Sequence, residues 1–305
     1  MTKKTRNWLI ALFIVAFPFV LFCGFLILME EPPAPLAPLP NPNGYDDLVK
    51  AGRMLPDVAD EYDKMNQEQL QKAVSANAAA ASLARSGLSN QCRVPIQYSE
   101  SYDSNHLDDL AGLKRLARAF AAEGTLAEMN GRTNDAVQSF LTTVHLGNET
   151  LRGGVLIDGL VGIAIDAIGT SHIQTLVTNL DTRTCRETAS ALESLDAQNQ
   201  TWSEVLQQEN IWSRATFHGW RYDLMRLEAG KSAKAAIASS KRKFEAQEQR
   251  MRQLMVDLAA RAYELDTAIA PSAWPSWCRN ISRPSRKTRS PARTSFRLDL
   301  NLLVS

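Results

Sequence analysis

The sequence predicts an all-α protein made of an N-terminal transmembrane helix, a Pro-rich linker and an extracytoplasmic helical domain. Three observations carry that prediction. The run from Asn7 to Met29 is uncharged and apolar; a cluster of prolines follows it; and the long remainder is rich in Ala, Leu, Gln, Glu and Arg, with no alternating β pattern.

The first element is the span at residues 8–29, an almost continuous run of Leu, Ile, Val, Phe and Ala. At roughly 1.5 Å per residue it rises about 33 Å, against a hydrocarbon core of about 30 Å. Pro18 is tolerable there because neighbouring groups in a span re-satisfy the freed carbonyl, and Trp8 suits an interfacial position. Lys3, Lys4 and Arg6 precede the run while Glu30 and Glu31 follow it, which predicts a cytoplasmic N-terminus at residues 1–7. A cleaved signal peptide fits less well, since no small-x-small site follows, and a lipoprotein site at Cys23 would need a small residue where Phe22 stands. The expectation is a single-pass protein of the cell inner membrane. The bilayer is its partner through the N-terminal helix, and the bulk of the chain is extracytoplasmic.

Residues 30–44 hold Pro32, Pro33, Pro35, Pro38, Pro40 and Pro42 and predict an extended, polyproline-like spacer. Beyond it, residues 45–275 form one helical domain with Pro56 and Pro95 as its notable prolines. Helices are expected at about 46–54, 66–86, 108–129, 134–147, 154–179, 184–196, 201–228 and 231–268, with a loop around Gly87 to His106. The net charge of +1 offers no general attraction for nucleic acid.

Phe120, Gly124, Gly131, Ala136 and Phe140 have the spacing of a tetratricopeptide helical hairpin, and the stretch from Phe120 to Val144 resembles one such repeat. Gly124 and Ala136 would allow close helix approach, Gly131 would make the turn, and the two phenylalanines would fill the groove between. Ala127 and Asn148 depart from that pattern, and an ordinary antiparallel helix pair explains the same residues.

Few residues suggest chemistry. Asp158 and Asp166 share a helix face in GGVLIDGLVGIAIDAIG, but lie about 12 Å apart along the axis, too far to work as a paired acid and base. A structural role is expected, with Gly159, Gly162 and Gly169 admitting a neighbouring helix, and the segment reads as too short and too charged to be a second span. His106, His145, His172 and His218 occur singly, without metal-ligand spacing, and no nucleophile or phosphate-loop motif is present. No catalytic, cofactor or metal residue is therefore assigned, and the chain reads more readily as a non-enzyme.

The most distinctive cluster is Trp202, Trp212, Phe217, Trp220 and Tyr222 with Arg214, His218 and Arg221, read either as a buried stripe or as an interaction surface of Trp212, Arg214, His218, Trp220 and Arg221. Cys92 and Cys185 are read as a possible disulfide or as two buried free thiols. The segment from Lys231 to Asp266 reads as an amphipathic helix packing on the domain.

The segment PLPNPNGYDDLVKAG, with RGGVLIDGLVGIAID and HGWR, resembles a group of single-pass bacterial membrane proteins. The resemblance implies topology and no activity. Envelope proteins are expected as further partners, apart from that resemblance. The function expected is a membrane-anchored helical scaffold or protein-interaction module; an extracytoplasmic hydrolase and an assembly factor of a secretion or pilus-like system are the alternatives. Residues 276–305 form a basic tail with Arg279, Arg283, Arg286, Lys287, Arg289, Arg293 and Arg297. Synonymous codons exist for which the neighbouring frame from Trp277 to Ala292 reads L-V-P-E-Y-L-A-A-V-P-K-D-P-F-T-G, similar to the V-P-x-D-P-F-x-G ending of that group. A one-base frameshift near Pro275 to Trp277 is the expectation, with the basic run excluded from site reasoning.

Overall fold

Asparagine caps open the first helices of the chain. The computed structural model describes residues 16–18, 35–56, 62–217 and 219–267. Residues 35–40 carry neither helix nor strand, and α1 then runs Gly44–Arg53 behind Asn43, whose side chain accepts from the Tyr45 amide. Asn43 also clamps the far loop: its Nδ2 donates to the Arg93 carbonyl and its Oδ1 accepts from the Arg93 amide, both at 2.9 Å. A capping box of Asn66 and Gln69 starts α2, Gln67–Ala76. α3 is Ala78–Leu88.

The single helix expected over 66–86 is thus two. Asn77 is the joint: its side-chain amide donates to the Tyr62 hydroxyl at 2.7 Å, an alternative to the regular helix that short amide side chains readily supply. α4, Tyr102–Met129, begins earlier than the polar composition around 102–107 suggests. Tyr102 and His106 are buried, and this tertiary burial outweighs the weak helix propensity of the first turns.

A turn at Gly131, φ +72°, leads into α5, Thr133–Leu151. α6 follows at Leu156–Leu176, extended by a 3-10 turn at Val177–Asn179. Asp181 caps α7, Thr182–Gln198, and a Thr201–Glu204 capping box starts α8, Trp202–Thr216. The helix expected over 201–228 stops at Thr216 because Phe217 leaves helical geometry to pack edge-on against Trp212. α9 spans Gly219–Thr267, kinked at Gly230, φ +37°.

α6 is the central helix, packed against α4, α5, α8 and α9. It fits closely because glycines face one another: a Cβ on Gly147 of α5 would lie 2.7 Å from the Gly162 carbonyl oxygen. One core cluster gathers α1, α3 and most of α4, including Leu48, Leu113 and Phe120; the second joins α5, α7 and the end of α9 through Phe140, Leu192 and Leu258.

This architecture keeps the all-α class and corrects the membrane assignment. Among the described residues the one helix long and apolar enough to cross a membrane is Leu156–Asn179, in the middle of the chain and not at its N-terminus. By length and composition this segment is therefore neither too short nor too charged to be a span, contrary to the expectation. Its apolarity has a physical cause in the fold, since neighbours cover it on several sides and its aspartates are buried. The N-terminal anchor at 8–29, the bilayer partner reached through it, and the single-pass topology with an extracytoplasmic domain do not stand on the described structure. Of residues 8–29 only 16–18, an exposed helical turn, lie within it. The basic tail at 276–305 lies outside the described residues.

Candidate functional site

Of the hairpin residues, Gly124 meets Phe140 between α4 and α5 and Gly131 makes the turn, whereas Phe120 packs in the other core cluster with Arg85 of α3 over its ring. Phe120 and Phe140 are fully buried, and a Cβ on Gly124 would sit 2.4 Å from Phe140 Cε1, so only glycine lets α4 and α5 close around that ring. The close fit brings α4 and α5 against α2 and α3, and the four helices enclose a groove of about 430 Å³. Small buried side chains line it: Ala81, Ala119 and Ala127, together with Leu126.

The walls are polar. Gln71 of α2 and Gln138 of α5 are exposed on the groove; the Gln71 amide donates to Ser75 Oγ at 3.2 Å, and the Thr142 hydroxyl, donating to the Gln138 carbonyl at 2.8 Å, keeps only its accepting capacity. The charges there are paired. Arg85 Nη2 reaches Glu123 Oε1 at 2.7 Å and lies over the Phe120 ring, its Cζ 5.0 Å from the ring centre; Arg132 and Asp135 pair at 3.1 Å. The volume suits a small molecule or a few residues of peptide.

A second, shallower hollow of about 470 Å³ follows the outer face of α8, lined by Trp202, Leu206, Ile211 and Arg214. Here the interaction surface read from the sequence divides. Trp212 is buried, its Nε1 donating to the Gln97 carbonyl at 2.9 Å, whereas Arg214 is exposed on the hollow. Trp220 and Arg221 fall in the first turn of α9, and His218 lies outside the described residues.

Apart from the groove, where α4 and α6 begin, lies buried polar chemistry that the sequence did not announce. His106 Nε2 is hydrogen-bonded to Asp158 Oδ1, and Asp158 Oδ2 accepts from the Val155 amide at 2.7 Å. Tyr102 stacks on the imidazole at 4.8 Å. Burial first, and then the field of Asp158, hold the Tyr45 hydroxyl well above its usual pKa. Farther along α6, burial pushes the Asp166 carboxyl up to about 7. A hydrogen bond from Gln247 opposes that rise, and the charge of Asp196 adds to it.

Neither Asp158 nor Asp166 lines the groove or the hollow. Among the described residues no group of three or more His, Cys, Asp or Glu side chains converges as a metal site would require. Cys92 and Cys185 are both free and buried, in different core clusters. Burial pushes their thiols up to about 12 and about 11.

The hairpin spacing was the signal that could have located the groove. The His106 pairing had none, because its partner is 52 residues away. No protein-family profile, curated protein or solved structure matches this chain.

Proposed function

We propose that this chain is a protein-interaction module, a helical scaffold whose α2–α5 groove holds an extended peptide segment of a partner. The observation that carries the reading is the groove itself: a depression of about 430 Å³ lined by Ala78, Ala81, Ala119 and Ala127, with Gln71 of α2 and Gln138 of α5 exposed on it. Amide side chains of this kind pair with the N–H and C=O groups of an extended strand, and the already paired Arg85–Glu123 and Arg132–Asp135 leave no strong bias for a charged ligand. The tetratricopeptide likeness of the α4–α5 hairpin supports the same reading, since repeats of that type present peptides with such grooves. The hydrolase alternative has no support of this kind, because the buried aspartates of α6 open onto neither depression.

Panning the purified full chain against a random displayed-peptide library tests the proposal. Enriched peptides are expected to crosslink to a photoreactive residue placed at Gln138, and to lose at least about tenfold in affinity when Ala78→Trp or Gln138→Trp obstructs the groove. Both positions are exposed, so folding should survive. Absence of enrichment, or peptides indifferent to both variants, would overturn the reading.

A further inference from the structure

Asp166 on α6 faces Gln247 on α9, and both side chains are buried. Gln247 Nε2 donates to Asp166 Oδ2 and to Thr170 Oγ1, each at 3.1 Å, and the Thr170 hydroxyl donates onward to the Asp166 carbonyl at 2.9 Å. Both amide hydrogens are thereby used. Asp166 Oδ1 and Gln247 Oε1 remain, buried and without a hydrogen-bond partner. Two acceptors cannot satisfy each other. A single hydrogen between them can, and the carboxyl is the only one of the two groups able to carry it. Nor can Asp166 withdraw toward α5, because Gly147 backs it: a Cβ there would lie 3.1 Å from Asp166 Cβ.

We propose that folded Asp166 stays protonated in mild acid and donates that proton to Gln247, closing a reciprocal acid–amide pair that latches α9 to α6 and loosens as pH rises to neutrality. The charges around it are consistent with this. Asp196 of α7 disfavours a second negative charge, even with Arg252 of α9 near it at 3.8 Å. Three other titratable groups on the helices against α6 are engaged elsewhere: His106 of α4 on Asp158, Glu149 of α5 with Arg152 and His145, and Glu209 of α8 on the Leu156 amide. On α6 itself, His172 is stacked on Phe140.

The rise of the folded carboxyl to about 7 fixes the sign. The native chain then holds more protons than the unfolded one between about pH 3.9 and neutrality, so the contribution is complete below that window, is lost as pH rises through it, and is flat above. The unfolding constant should grow by up to about tenfold per pH unit inside the window from this group alone.

Asp166→Asn preserves both bonds without a titrating proton, since an asparagine amide donates to Gln247 Oε1 while its oxygen accepts from Nε2. Urea unfolding of the full chain should show wild type losing at least about tenfold in folding constant relative to this variant between about pH 5 and about pH 8. Hydrogen exchange in α9, corrected for its intrinsic pH dependence, should accelerate over that range in wild type and not in the variant. Carbon-13 NMR of the Asp166 carboxyl reads the proton directly, and a midpoint near neutrality is expected even if the variant folds poorly. A midpoint in the ordinary carboxylate range near about 4 would overturn the proposal, as would equal pH dependence of wild type and Asp166→Asn.

Discussion

His106 and Asp158 are hydrogen-bonded to each other in the core, joining the first turns of α4 to the first turn of α6. The same carboxylate closes the start of α6 through the Val155 amide. One side chain therefore satisfies a helix terminus and fixes the angle at which a second helix arrives.

Removing either partner should be costly. Asp158→Ala leaves a buried imidazole and a buried amide without acceptors, and a loss of about 2 to 4 kcal/mol is expected in urea unfolding. His106→Ala also forfeits the stack with Tyr102. The double variant should lose less than the sum of the singles, with a coupling of at least about 1 kcal/mol. Strict additivity would show that the bond carries no energy of its own.

The hairpin makes a sharper steric prediction. Adding a methyl group at Gly124 places it inside contact distance of the Phe140 ring, so Gly124→Ala should destabilise by about 1 to 3 kcal/mol despite the better helix propensity of alanine. Combining it with Phe140→Leu should cost less than the sum. If Gly124→Ala melts like the parent, α4 and α5 do not close here.

That hairpin also marks how far the sequence could be read. Phe120, Gly124, Gly131, Ala136 and Phe140 were legible because their constraints are local: a turn needing positive φ, and small residues where helices cross. The helical class was legible for the same reason. Tertiary constraints were not. Nothing around Asn77 announces that Tyr62 will break a helix there, and the first turns of α4 look polar because their burial depends on α1, α6 and α8. Apolarity misled as well. A long apolar run reads alike whether lipid or neighbouring helices cover it, and the described run of that kind is the central helix α6. The groove was half visible, since two of its four helices carry the hairpin residues while the other two were read as one.

α8 works as a clasp, which gives a third prediction. Trp212 holds the loop carbonyl of Gln97, Glu209 accepts from the Leu156 amide at 2.9 Å, and just before the helix Gln200 accepts from the Gly153 amide at 3.0 Å. Trp212→Phe keeps most of the buried ring but strands the Gln97 carbonyl, for an expected loss of about 1 to 2 kcal/mol. Trp212→Ala should cost about 3 to 5 kcal/mol. Equal values for the two would mean that the indole hydrogen bond dominates and the ring contributes nothing.

The cysteines supply the last prediction, which depends on both burial and distance. Cys92 sits beside Gly87 in the first core cluster, its Sγ 3.6 Å from that carbonyl oxygen, while Cys185 lies in the second cluster beneath α9. The thiolate is the reactive form, and burial raises both thiols, to about 12 and about 11. At about pH 8 the folded chain should therefore leave both unalkylated by iodoacetamide over a time in which the urea-unfolded chain is modified at both, read site by site by mass spectrometry. The linkage has a definite sign: thiols held protonated by the fold contribute stability below their unfolded value of about 8.5, and that contribution drains as pH climbs toward the folded values. Stability should thus fall above about pH 9, and Cys92→Ser should blunt the decline, since a serine hydroxyl does not titrate there. Rapid native alkylation at either site, or a peptide linking Cys92 to Cys185 under non-reducing digestion, would contradict the placement of two separate buried thiols.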